Sequence, residues 1–206
     1  VKVFNEQDSL VDEQTQQLRP QGSTKQMPLL FDELNFWLEP KQYRVLVEVF
    51  ETEHHKSGRK ELAIDLVDYA NDAKEISDLV PAKLIDGGFT DEKFNKPMGR
   101  MIPIVKPELT VSTPFYFYHE VYNLETKEGL HHLRTIYEIY NRDKMKKEVV
   151  DMLTNDNISE GDVAYLSAKY HPMDLPPGRY IIVARDTDQL SGRERTAVSE
   201  FELLAE

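Results

Sequence analysis

Apolar and polar residues alternate along much of this chain. In YRVLVEVFE, Tyr43, Val45, Val47 and Val49 fall on one side, and Arg44, Leu46, Glu48 and Phe50 on the other. That period of two is the pattern of a strand with one face turned inward. YIIVAR (180–185) repeats it late in the chain. Each run follows a proline and enters an acidic turn, 51–53 in the first and 186–188 in the second. Ser-Gly-Arg comes next (57–59 and 191–193), then a closing strand, KELAIDLV or RTAVSEFELL. Two strands around a glycine-containing turn predict a hairpin in each place.

The agreement extends upstream. VKVFNEQDSLVDEQTQQL (1–18) aligns with YEIYNRDKMKKEVVDML (137–153), which sets Asn5 on Asn141 and Phe4 on Tyr140. LLFDELNFWLEP (29–40) aligns with VAYLSAKYHPMDLPP (163–177). Four elements recurring in one order predict a duplicated unit. The expected fold is all-β: two tandem immunoglobulin-like β-sandwich domains, the first incomplete at its N-terminus. Residues 100–206 form the complete sandwich, with strands near 100–106, 115–123, 131–141, 145–153, 163–169, 179–187 and 195–204. The run 145–153 also fits a helix face, and only the repeat favours a strand.

Residues 1–69 form the partial sandwich. Nothing in them corresponds to FYFYHEVYN (115–123), so unpaired backbone and a slot in the core are expected. Either the opening strands lie before Val1, or another chain fills the slot by strand addition. The VKVF opening reads as mid-strand, the expected mark of a processed or trimmed end. Residues 70–99 carry proline, a Gly-Gly pair and mixed charge, and read as a connector with a helical turn near 74–79. Its Ile76, Leu79, Leu84, Ile85 and Phe89 are too many apolar residues for a free linker, so it is expected to pack across the junction.

LPPGRY (175–180) turns the chain into a strand. A tyrosine at the start of that strand returns its hydroxyl to the turn backbone in immunoglobulin-like sandwiches. Tyr180 is the candidate for this tyrosine corner and Tyr43 its counterpart, although EPKQY lacks the glycine.

Composition narrows the partners. The 206 residues are 40% hydrophobic, enough for packed cores, and carry a formal charge of −12. Such a surface repels nucleic-acid phosphates and anionic lipid. No apolar run approaches ~18 residues, so no membrane insertion is expected. With no cysteine there is no disulfide framework, thiol catalysis or Cys-ligated metal.

Catalytic chemistry finds no pattern. There is no Gly-x-Ser-x-Gly elbow and no glycine-rich phosphate loop. The pairs His54-His55 and His131-His132 would point to opposite strand faces and cannot chelate one ion side by side. Together with His119 and His171 they read as solvated. NDNISEGD (155–162) and RDTDQLSG (185–192) offer oxygen ligands for calcium without the EF-hand spacing, and Asn, Asp and Gly also simply make turns. No catalytic residue, metal or cofactor is assigned. The most suggestive element is the aromatic strand. If Phe115, Phe117 and Val121 face a core, Tyr116, Tyr118 and Tyr122 lie opposite as a candidate interface, since tyrosine suits protein interfaces and sugar-stacking platforms.

ISDLVPAKLI (76–85), FYFYHEVYNL (115–124) and LPPGRYIIVARDTDQLSGR (175–193) together resemble the C-terminal half of bacterial GWxTD-domain proteins, over roughly 38–204. The namesake Gly-Trp-x-Thr-Asp motif is absent; the only tryptophan, Trp37, sits in NFWLEP. The resemblance implies an exported bacterial protein without assigned enzymatic activity. The expectation is therefore a non-enzymatic structural or protein-binding module, periplasmic or extracellular, holding a protein partner or forming a homo-oligomer. The alternatives are a carbohydrate-binding module using the tyrosines, or accessory domains of a larger enzyme with its catalytic part upstream.

Overall fold

The computed structural model describes residues 1–18, 32–69, 75–86, 93–105, 108–144 and 148–205, with the backbone alone at 84–86. The described residues contain fourteen strands and no helix, so the fold is all-β. The chain divides into two units, Val1–Asp68 and Tyr69–Glu206.

The second unit is a two-layer sandwich. One sheet holds β12 (Ala164–Tyr170), β9 (Phe115–Val121), β5 (Val80–Asp86), β7 (Gly99–Pro103) and β6 (Asn95–Lys96), in that order. The other holds β11 (Val149–Glu160), β10 (Leu130–Asn141), β13 (Gly178–Asp188), β14 (Glu194–Leu204) and β8 (Glu108–Thr110). The last pairing, β8 on β14, is parallel. Alternation decides which side chains face inward. On β10 these are Leu133, Thr135, Tyr137 and Ile139, and on β13 Tyr180, Ile182, Ala184 and Asp186. Phe117 meets Tyr137 at 6.4 Å and Phe115 meets Phe201 at 5.3 Å, ring to ring across the layers. Each large apolar side chain buried here contributes about 1.5–3 kcal/mol.

The segment expected to be a connector differs from that reading. Ile76 bridges Val121 in extended backbone rather than in a helical turn, and β5 pairs with β9 as an interior strand. Ile76 and Leu79 join the sandwich core. A run of alternating apolar residues is worth more paired to a sheet than spanning a gap, because pairing satisfies its backbone. Lys74, Phe89 and the side chains of Leu84 and Ile85 lie outside the described residues.

The described residues of the first unit form one sheet, β2 (Leu10–Glu13), β1 (Lys2–Phe4), β3 (Gln42–Glu51) and β4 (Lys56–Asp65), in that order. It matches β11-β10-β13-β14 strand for strand. Val3 pairs with Val45 as Ile139 pairs with Ile182. Tyr43 pairs with Ile64 as Tyr180 pairs with Phe201. A register shift falls after Val3 in β1 and after Ile139 in β10. Asn5 Oδ1 accepts the Gln7 amide at 3.0 Å, and Asn141 Oδ1 accepts the Asp143 amide at 2.9 Å. Shared order, register, bulge and turn cap are four independent correspondences.

Candidate interaction surfaces

Both corner tyrosines close the same loop. Tyr180 donates its hydroxyl to Pro176 O at 2.6 Å, and Tyr43 donates to Glu39 O at 3.0 Å, each four residues back. Gly178, with φ +154°, carries the chain into the first corner; Lys41 stands in its place in the second, where the bond is longer.

The tyrosines of β9 are not displayed as a set. Tyr118 is buried under Ala82 and Met101, with Tyr116 half-buried at the edge of that cluster. Lys96 Nζ lies 6.0 Å from the Tyr118 ring centre. Tyr118 donates to Glu120 Oε1 at 2.7 Å, Tyr122 donates to Glu120 Oε2, and the Tyr122 ring stacks on Tyr69 at 4.5 Å. Burial, followed by the bond to the Glu120 carboxylate, pushes both phenols above their ordinary range. The expected three-tyrosine platform is corrected at Tyr118, which is 2% exposed: Ala82 of the neighbouring β5 and Met101 of β7, in the same sheet, pack against it. Tyr116 and Tyr122 keep partial exposure.

Two histidines expected in solvent are core residues. His119 Nε2 lies 3.0 Å from Asp186 Oδ2, and Thr135 Oγ1 donates to Asp186 Oδ1 at 2.5 Å; all three residues are fully buried. His119 also packs edge-on to Tyr137 at 5.8 Å. Burial, and then the nearby Asp186 carboxylate, raises the Tyr137 phenol. Fully buried, this network acts as a hydrogen-bonded tie between the layers. His131 is held by Gly161 O and Asn157 Oδ1, both at 2.8 Å. The phase of the strands could have located these groups: His119 continues Phe115-Phe117, and Asp186 continues Tyr180-Ile182-Ala184.

The acidic candidates resolve as structure. Asn155, Asp156 and Asn157 lie inside β11 rather than in a loop, so they alternate faces. Asp188 is buried at the β13 end, where it accepts the amides of Glu125 and Leu190 at 3.0 Å and the Ser191 hydroxyl at 2.6 Å. Burial pushes its carboxyl up, but these donors outweigh burial and hold it below its ordinary value. Glu51, Glu53 and His54 cluster on the exposed β3–β4 turn, where the Glu51 carboxylate already caps the Glu53 and His54 amides at 2.8 and 3.0 Å.

The surface that stands out belongs to the first unit. Its two faces differ. On one, Arg44 lies over the Phe4 ring at 4.2 Å and pairs with Asp8 and Glu61, and Lys2 reaches Glu48; this face is charged, with Leu46 buried among these groups and Phe50 exposed at its end. On the other lie Val3, Tyr43, Val45, Val47, Val49, Leu62 and Ile64, set there by register. Phe36 and Leu38 cover Val3, Tyr43 and Val45, and Gln14 Nε2 fastens that covering segment by donating to Asn35 O at 2.5 Å. Val49, Leu62 and Ile64 stay exposed, at 62%, 39% and 38%. In the second unit the matching positions Ala184, Asp186 and Phe201 are buried under the second layer and Ser199 is half-buried. Among the described residues, no second layer covers the first sheet.

No protein-family model matches the chain, and no curated protein sequence does either.

Proposed function

We propose that this protein is a non-enzymatic, exported structural or protein-binding module. Its first sheet is closed by β-strands from another polypeptide, a second copy of the chain included. The observation that carries the reading is the apolar face of Val47, Val49, Leu62 and Ile64, whose counterpart in the second unit is sealed by a second layer. An exposed apolar sheet face of this kind marks an interaction site; strands laid on it pack through side chains as a second layer, and main-chain hydrogen bonds are offered only at the sheet edges, β2 and β4. The resemblance to GWxTD-domain proteins supports export and the absence of enzymatic activity.

Sedimentation equilibrium across a wide concentration range tests the self-association arm. The expected result is reversible association that the Val49→Asp/Leu62→Asp double variant abolishes. A chain that stays monomeric throughout removes self-assembly. Association unchanged in the double variant removes this face as its site.

A further inference from the structure

Trp37 is the chain's single tryptophan, and it is 97% exposed. Its segment is anchored on both sides, by Gln14 to Asn35 O and by the Tyr43 hydroxyl to Glu39 O. The indole is therefore held out on fixed backbone.

Completing the sandwich would not explain it. In the register that sets Tyr43 on Tyr180, Leu38 falls on Leu175, Pro40 on Pro177 and Trp37 on Asp174. Leu38 and Leu175 both pack on their cores, so the register holds at this point. Asp174 is exposed in the closed second unit. The position faces water even in a finished sandwich, and the fold is content with an aspartate there. A large apolar ring in water contributes nothing to folding.

What surrounds the ring points to a ligand class. Trp37 borders a cleft of about 520 Å³, within the size range of small-molecule sites. Its lining is mixed: Val11, Leu38 and Tyr43 bring apolar surface, Asn5, Gln7 and Gln42 bring amides and Glu6 a carboxylate. Lys41 and Glu39, also on the wall, neutralise one another as an ion pair. No net positive charge is left to attract a phosphate or carboxylate ligand. An aromatic ring beside amides and a carboxylate suits a ligand with an apolar ring face and a rim of hydroxyls. The ring's C–H bonds stack on the indole, and planar amides donate to and accept from hydroxyl pairs.

We propose that the cleft beside Trp37 is a saccharide-binding site, with one pyranose ring stacked on the indole and its hydroxyls bonded to Gln7, Gln42 and Glu6. The cleft shares Leu38 and Tyr43 with the covered end of the apolar face, while Trp37 and the polar groups that would hold a sugar lie outside the open patch of Val49, Leu62 and Ile64.

The single tryptophan makes the test direct, because all indole emission reports this site. The intact chain is screened on a glycan array, and the best-bound oligosaccharide is titrated by tryptophan fluorescence and by calorimetry. The expected result is a saturable blue shift with Kd below about 1 mM. Trp37→Ala should weaken the calorimetric affinity at least tenfold, and Gln42→Ala should weaken it also. Trp37 is exposed, so its replacement should leave the melting temperature unchanged, and a lost signal then reports lost contact. An array without hits overturns the proposal. So does an oligosaccharide that binds Trp37→Ala as well as the parent chain, or a blue shift given by a decaproline peptide and by no sugar.

Discussion

The open-face reading turns on one pair of substitutions, Ile64→Ala in the first unit and Phe201→Ala in the second. The two positions correspond, each directly across from a corner tyrosine. Phe201 is 2% exposed and contacts the rings of Phe115, Phe117, Tyr170 and Tyr180. Removing such a ring leaves a cavity that the neighbours refill only in part, at about 3–5 kcal/mol. Ile64 is 38% exposed. Full burial of an isoleucine side chain contributes about 1.5–3 kcal/mol. Roughly three-fifths of that is realised here, and alanine retains part of it, so the loss is about 1 kcal/mol. The assay is native-state amide exchange of the intact chain, read on β3 and β4 for Ile64→Ala and on β13 and β14 for Phe201→Ala. The expected acceleration is about fivefold in the first case and a hundredfold or more in the second. If Ile64→Ala costs as much as Phe201→Ala, its face is already closed within the chain, and the argument for an external partner fails.

Other outcomes follow from the same contacts. Tyr43→Phe and Tyr180→Phe each remove one hydroxyl bond to a turn carbonyl and should cost about 1 kcal/mol in denaturant unfolding; a null effect at both positions would show that the corner is only a packing feature. Asp186→Ala strips the partner from buried His119 and from Thr135, and should destabilise the second unit by about 3–5 kcal/mol, against a smaller loss for Asp186→Asn. The phenols of Tyr118 and Tyr122 are raised in the folded state, so their contribution is intact below the ordinary tyrosine value near pH 10. It is lost as pH rises through the higher folded values, and alkaline unfolding followed with phenolate absorbance should show these two, with Tyr137 and Tyr170, ionising above the ordinary tyrosine range. Asp188 is lowered; its contribution is present above the ordinary aspartate value of about 3.9 and is lost as pH falls through the folded value. Ser191→Ala should raise that carboxyl and move the onset of acid destabilisation to higher pH, as read by acid titration of the melting temperature.

Local pattern alone determined much of this protein. Period-two alternation is a property of neighbours in sequence, so it located β3, β10, β13 and β14 and set which side chains share a face. The repeat of that pattern assigned Tyr43 and Tyr180 to one role, because a hydroxyl reaching back four residues is a local event. Val45 and Ile182 fell into one register for the same reason. Tertiary structure decided what each face meets. Alternation presents Tyr118 opposite Phe117 but is silent on its lateral neighbours; Ala82 of β5, from a segment that reads as a connector, and Met101 of β7 pack against it. The same strand chemistry that set His119 inward in phase with Phe117 could not name Asp186, because their contact at 3.0 Å joins strands of different sheets. The open face of the first sheet is likewise a fact of layering. Sequence wrote a matching inward stripe in both units, with Val49 and Leu62 standing where the second unit has Asp186 and Ser199, and only packing of a second layer distinguishes a sealed core from an exposed surface.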